Sequence, residues 1–296
     1  MIIKELPNPD LFRDVPQHNL QNEVICASAK PKYHYPNHTT PYLFVANFKG
    51  TGNYQVNGRH VFANDKLFYF LNARDKLEIN LRNAADLETL LILFSDEFVK
   101  GWINYKHTST SSLLENGAAK TDYNWNIPNI PFEYNTNLVS QLNRVKAAVQ
   151  REEIDAVLFE LLESFWALKE RSNYNLENIN AKKKSTREEL YRRLLTAKLF
   201  MHDNFAASLT IDVIAAEACL DKFHFLKLFK SNLGITPHQY LIKLKLEQAH
   251  TLLTTGKYSV FNACQQVGFE SQGTFTNLFK KYYRVLPSEL SKTTKI

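Results

Sequence analysis

The last third of this chain repeats itself, and such a repeat leaves few folds open. Residues 209–240 laid over residues 259–290, a shift of fifty with no gap, place Ile211 on Phe261, Val213 on Ala263, Phe225 on Phe275, Leu228 on Leu278, Phe229 on Phe279, Lys230 on Lys280, Ile235 on Val285 and Pro237 on Pro287. A match of that length reads as one small structural unit used twice. In each copy apolar positions at helical spacing (211–218 and 260–267) run into a short break, Cys219-Leu220-Asp221 or Gly268-Phe269-Glu270-Ser271. A second helix follows (222–232 and 272–282), which is the order of a helix-turn-helix unit. Between the copies, residues 238–254 read as one long helix through Tyr240, Leu241, Leu244, Ala249, Leu252 and Leu253. If rigid, it would space two reading helices by about one turn of B-DNA, roughly 34 Å.

The charge distribution fits a nucleic-acid partner. Residues 181–296 hold 18 Lys and Arg against 9 Asp and Glu, whereas the first 180 hold 18 against 21. The net +6 is thus a basic end joined to a slightly acidic body, and the basic end suits an anionic partner. In a helix-turn-helix the first helix braces against the backbone and the second offers its N-terminal residues to base edges in the major groove. With Phe225, Leu228 and Phe229 facing the core, Lys222, Phe223, Leu226, Lys227 and Lys230 face outward. With Phe275, Leu278 and Phe279 inside, Gln272, Gly273, Thr276, Asn277 and Lys280 face outward in the second copy. Lys suits guanine O6 and N7, Gln and Asn suit adenine, and Phe or Leu can press on a thymine methyl. Base contacts are therefore expected from Lys222, Phe223, Leu226, Lys227, Gln272, Gly273, Thr276 and Asn277. Phosphate contacts are expected from Lys230, Lys280 and Lys281, and from the helix starts at Thr210 and Ser259, whose N-cap positions leave free backbone N–H groups beside them.

The runs Ile214-Ala-Ala-Glu-Ala-Cys-Leu-Asp-Lys-Phe-His-Phe-Leu-Lys-Leu-Phe-Lys, Gly234-Ile-Thr-Pro and Val267-Gly-Phe-Glu-Ser-Gln-Gly-Thr-Phe-Thr-Asn-Leu-Phe-Lys-Lys resemble the DNA-binding domain of the AraC/XylS transcription regulators. The resemblance covers about 105 residues, 187–291, and duplication, spacing and the residues around both turns agree. It implies two helix-turn-helix units on promoter DNA, most often in an activator, with RNA polymerase as a further partner. Family base contacts carry over to Phe223, Leu226 and Lys227 in the first unit and to Gln272, Gly273, Thr276 and Asn277 in the second. Two departures stand out. Arg284 occupies the place of Gly234, where the family commonly has Gly, and Gly273 with the uncharged Asn277 leaves the second reading helix little to grip DNA. The first unit is expected to dominate affinity.

The front half has another rhythm. Short apolar runs at 42–48, 54–56, 60–62, 67–71, 77–81 and 87–94 recur every eight to twelve residues between Gly, Asn and Asp, as strands of an antiparallel sandwich or barrel do. Asn57-Gly58 marks a hairpin, since both residues tolerate the positive φ of a type I′ turn. Residues 96–132 look irregular, with a loop at 124–131. At 137–171 the period becomes helical, through Leu138, Leu142, Val145 and Val149 and then Val157, Leu158, Leu161, Leu162, Phe165 and Leu168. One face, carried by Leu158, Leu161, Leu162 and Phe165, either packs between subunits of a homodimer or covers the barrel. Next to such a carboxyl end, this half is similar to the cupin-like sensor domains that precede it in many family members. The expected fold is α+β, and the domains are a cupin-like sensor at 1–132, a helical dimerisation segment at 133–172, a linker at 173–186 and a double helix-turn-helix at 187–296.

No metal or other cofactor is expected, because His34 and His38 lie four apart, on a segment broken by Pro36 and Pro41, and no carboxylate follows where a metal-binding cupin places one. A small-molecule effector is expected instead, held by Tyr33, His34, His38, Tyr42, Phe44 and Tyr54. No catalytic residue is assigned: Gly-rich phosphate loop, nucleophile elbow and His-Glu-x-x-His spacing are all absent. No apolar run reaches membrane-span length, the start lacks a leader pattern, and three scattered cysteines suit a reducing compartment. The expectation is a bacterial cytoplasmic protein, at the nucleoid when bound to DNA.

Overall fold

The computed structural model describes residues 2–9, 21–28, 33–81, 87–107, 125–148 and 150–290, and divides into two compact units, 1–174 and 175–296. Val149, Asn124 and Ser291, used in the reading above, lie outside the described residues.

The N-terminal unit is built on two sheets. One has the strand order β1 (Ile2–Ile3), β2 (Glu23–Ser28), β9 (Glu88–Phe94), β4 (Tyr42–Lys49), β7 (Leu67–Leu71), β10 (Phe132–Glu133). The other has the order β3 (Tyr33–Thr39), β8 (Lys76–Leu81), β5 (Gly52–Val56), β6 (Arg59–Ala63). The expected hairpin is β5–β6, with Val56 paired to Arg59 and φ of 51° at Asn57 and 78° at Gly58. Pro36 does not end β3: it sits at the sheet edge, where the pairing with β8 shifts register between Tyr35 and His38, a place that tolerates a missing N–H.

Strand alternation sends Leu43 and Val45 of β4, Tyr69 and Leu71 of β7, and Leu91 of β9 into the core shared with Tyr54, Val56, Leu77 and Ile79 of the smaller sheet. The intervening residues face the opposite side, which is also buried. There α1 (Asp96–His107), α2 (Thr136–Ala147) and α3 (Arg151–Glu177) complete the unit. Helix α1 falls in the stretch read as irregular. Ser95 caps it by accepting from Phe98 N–H at 3.2 Å, Asp96 and Glu97 occupy its first turn, and its buried stripe is only Val99, Trp102 and Ile103, too short to register as a period.

Helix α3 corrects two expectations. Leu158, Leu161, Leu162 and Phe165 do not form an exposed dimer face: each is buried inside the unit. The Phe165 ring lies 5.1 Å from Phe44, 6.1 Å from Phe68, 5.0 Å from Phe70 and 6.3 Å from Phe94, on three adjacent strands. The stripe is apolar because it covers the larger sheet, so the second of the two alternatives holds. The linker drawn at 173–186 is also mostly helical, since α3 continues to Glu177 and the next helix starts at Lys184, leaving 178–183 between them. Within that stretch Leu176 and Ile179 are nearly inaccessible to solvent.

The C-terminal unit holds α4 (Lys184–Asp203), α5 (Ile211–Glu217), α6 (Lys222–Leu233), α7 (Pro237–Thr254), α8 (Val260–Gln266), α9 (Gln272–Tyr283) and α10 (Pro287–Leu290). The repeat is larger and less regular than a gapless shift of fifty. In the first helices burial and caps align Thr210 with Ser259, Ile214 with Ala263, Ala215 with Cys264 and Ala218 with Val267, a shift of forty-nine. Val213 and Ala263 therefore do not correspond, and Val213 is half exposed. The second turn then holds one more residue, Glu270, after which Asp221 and Ser271 match as caps of the second helices. Upstream, Leu194, Ala197 and Met201 of α4 match Leu246, Ala249 and Leu253 of α7 in spacing and burial, so each copy is a three-helix unit.

Phe165→Ala should cost about 3–5 kcal/mol through the cavity it opens under the larger sheet. Urea unfolding of the full chain, followed by fluorescence of Trp102, Trp125 and Trp166, measures this, and an unchanged midpoint would remove the ring from the core. Arg284, in the left-handed region at φ 64°, caps α9 where Gly234 caps α6. Arg284→Gly should raise stability by about 1 kcal/mol by relieving its side chain, read as a higher thermal midpoint.

Candidate nucleic-acid interface

Both turns use the same backbone device. In the first, Cys219 takes φ 51°, its N–H donates to Ala216 O at 2.9 Å and Leu220 N–H donates to Ala215 O at 2.9 Å. In the second, Gly268 takes φ 72°, its N–H donates to Gln265 O at 3.0 Å and Phe269 N–H donates to Cys264 O at 3.1 Å. This paired pattern ends a helix with its last carbonyls satisfied and redirects the chain sharply. A cation then holds the carbonyl of each left-handed residue: Arg193 of α4 donates to Cys219 O at 2.8 Å, and Lys245 of α7 donates to Gly268 O at 2.8 Å. Burial holds the Lys245 ammonium below its usual range, with Glu270 opposing that shift. These two residues were not anticipated. The signal for them was the repeat of α4 in α7, at an offset different from fifty.

The reading helices start on side-chain caps, Asp221 accepting from His224 N–H at 2.9 Å and Ser271 from Thr274 N–H at 3.4 Å. Phe225, Leu228 and Phe229 are buried on α6, as are Phe275 and Phe279 on α9, while Leu278 is only half buried. Of the residues expected to meet bases, Lys222, Phe223, Lys227, Gln272, Gly273 and Asn277 are exposed, and Leu226 and Thr276 are half buried beside them. Phe223 is 81% exposed in the first turn of α6, an unusual position for a Phe that has no partner to press against. Lys222 is not free: its Nζ lies 2.9 Å from Asp212 Oδ2 on the preceding helix.

Among the residues expected at phosphates, Lys230, Lys280 and Lys281 are exposed. Thr210 and Ser259 cap α5 and α8 by accepting from Val213 N–H at 3.3 Å and Asn262 N–H at 3.1 Å. Helix α7, 18 residues and about 27 Å long, opens on a capping box between Thr236 and Gln239 with Pro237 in its first turn.

The six residues expected to hold an effector do not converge. Tyr33 and Tyr54 point into the sandwich core. The Tyr33 hydroxyl donates to Pro7 O at 2.9 Å and that of Tyr54 to Asn47 Oδ1 at 3.0 Å, and burial pushes Tyr54 up to about 12. His34 faces away from that core and pairs with Glu78 at 3.2 Å, and His38 Nδ1 turns back to Pro36 O at 2.9 Å. Tyr42 and Phe44 lie on the helix-covered face, against Phe70 and Phe165. Alternation along β3, β4 and β5 separates what was read as one set. Among the described residues no cluster of His, Cys, Asp or Glu could hold a metal ion, and no helix is long and apolar enough to cross a membrane.

Release of Lys222 by Asp212→Asn should tighten DNA binding on all sequences alike and steepen its salt dependence by about one counterion. Titrations of labelled duplex at several salt concentrations check this, and an unchanged slope would mean that Lys222 does not reach a phosphate.

Residues 214–293 match a family model described as a helix-turn-helix domain. An HTH-type transcriptional activator, RhaS of Mannheimia succiniciproducens, is 23% identical over 98% of this chain and 99% of its own length. Two other relatives match over about a third of this chain. An uncharacterised HTH-type regulator of Haemophilus influenzae is 29% identical over 36% of this chain and 35% of its own length, and the MmsAB operon regulatory protein of Pseudomonas aeruginosa is 36% identical over 30% and 29%. For these two the chain therefore spans about a third of the relative's length. A solved AraC-type regulator from Chromobacterium violaceum is 27% identical over 34% of this chain and 90% of its own, with a TM-score of 0.33. Residues 214–293 of this chain are a helix-turn-helix domain.

Proposed function

We propose that the chain is a sequence-specific regulator of transcription, most simply an activator, that binds promoter DNA through both helix-turn-helix units. The observation that carries this reading is the pair of side-chain-capped helices α6 and α9, each presented by the same braced turn and each with an exposed face opposite its buried aromatic residues. Phe223, Leu226 and Lys227 read bases from the first unit, and Gln272, Gly273, Thr276 and Asn277 from the second. Lys230, Lys280 and Lys281, with the α5 and α8 starts at Thr210 and Ser259, hold phosphates. Lys222, expected at a base edge, is held by Asp212 and reaches a phosphate when released. RNA polymerase is the partner that a promoter-bound activator engages. The N-terminal unit is the sensor and responds to a small molecule.

The test is selection of bound sites from random duplexes with the full chain at two salt concentrations, with and without a metabolite extract. A motif of two half-sites about one helical turn apart is expected. No enriched sequence would overturn the reading. Within that motif, Lys227→Ala should reduce discrimination at one or two base pairs by about 1–3 kcal/mol. Uniform weakening on every duplex would place Lys227 on a phosphate instead.

A further inference from the structure

Gly268 lies where the two copies of the motif touch. Its φ of 72° favours glycine, but a harder constraint comes from a neighbour: a Cβ there would sit 2.0 Å from the backbone oxygen of Ala206 and 2.8 Å from its carbonyl carbon. Backbone cannot yield as a flexible side chain does, so the position admits no Cβ while Ala206 stays in place. Ala206 belongs to the segment between α4 and α5, the lead-in of the first copy, and Gly268 to the turn of the second. One residue earlier, Phe205 packs on the second copy's core of Ala263, Cys264, Val267, Phe275 and Phe279. From the other side Lys245 donates to the Gly268 carbonyl. At the matching place in the first turn Cys219 carries a side chain and is exposed, so nothing crosses there.

The chain passes covalently from the first copy to the second through the turn between α6 and α7, where Gly234 takes the left-handed region at φ 72°. A single covalent crossing of this kind leaves the second copy a swing about the turn. A second connection removes that freedom. We infer that Phe205, Ala206 and Gly268 form a brace which holds the second reading helix at one position relative to the first, so that the protein accepts its two half-sites at a single spacing. Phe205 and Gly268 are positioning residues that touch no base. This inference rests on the DNA-reading function proposed above.

Full-length protein is titrated onto duplexes carrying the selected half-sites at the native separation and with one or two base pairs inserted or removed, each step moving a groove by about 3.4 Å along the axis. The native protein should prefer one separation over its neighbours by about tenfold or more, the scale of losing one good contact. Phe205→Ala should level that preference while each half-site keeps its own base preferences, and Phe205→Leu, which keeps an apolar plug, should restore it. Gly268→Ala should act as Phe205→Ala does. If Gly268→Ala does not fold, as judged by its thermal midpoint, the two Phe205 variants decide alone. A flat spacing profile for the native protein, or a profile unchanged by Phe205→Ala, overturns the brace and leaves the DNA-binding function standing. Absence of any sequence-selective binding by the native protein overturns that function, and the brace with it.

Discussion

The orientation of both reading helices depends on a charge placed on a backbone carbonyl. A helix that stops at a left-handed residue leaves a carbonyl at its negative end, pointing out of the regular ladder. Arg193 answers it in one turn and Lys245 in the other, each from the helix that opens its three-helix unit. A charge-assisted bond of this kind contributes on the order of 1 kcal/mol where it is partly solvated. Its structural effect is larger than that figure implies, because it ties the opening helix to the hinge of the motif. The aromatic cores, Phe225 with Phe229 and Phe275 with Phe279, then fix rotation about each reading helix's own axis, and the exposed face follows.

The C-terminal unit was largely legible in the sequence because its signals are local and repeated. Helical period, turn residues and N-cap positions fall within a few residues of one another, and each is stated twice. What escaped notice was the change of register inside the repeat. Glu270 lengthens one turn and α4 repeats as α7 at a further offset, so a gapless comparison misaligns the first helices and misses the third altogether. The N-terminal unit was legible in its strands and its hairpin but not in its contacts. An apolar stripe such as Leu158, Leu161, Leu162 and Phe165 has the same period whether it covers a sheet or a second subunit. Only the facing row of Phe44, Phe68, Phe70 and Phe94 decides, and that row is assembled from strands distant in sequence.

The same cause explains the dispersed effector residues. Aromatic side chains on strands were gathered by type, whereas the fold sorts them by parity. The larger sheet is buried on both faces, so neighbouring residues on one strand serve two cores. Val45 belongs to the sandwich interior and Phe44 to the layer under α3, although they adjoin. A sheet clad in this way has little surface left to vary.

The two reading helices differ in what they present. The first opens with an exposed phenyl ring and a lysine, the second with a bare glycine and an uncharged amide. A symmetric dimer on a palindrome looks the same from either end, and turning its site around changes nothing. A single chain with two unlike readers has a front and a back. On the function proposed above, its site carries a direction, like an arrow drawn on the duplex. Under that proposal, position and orientation of the site become separate requirements, both written into one polypeptide.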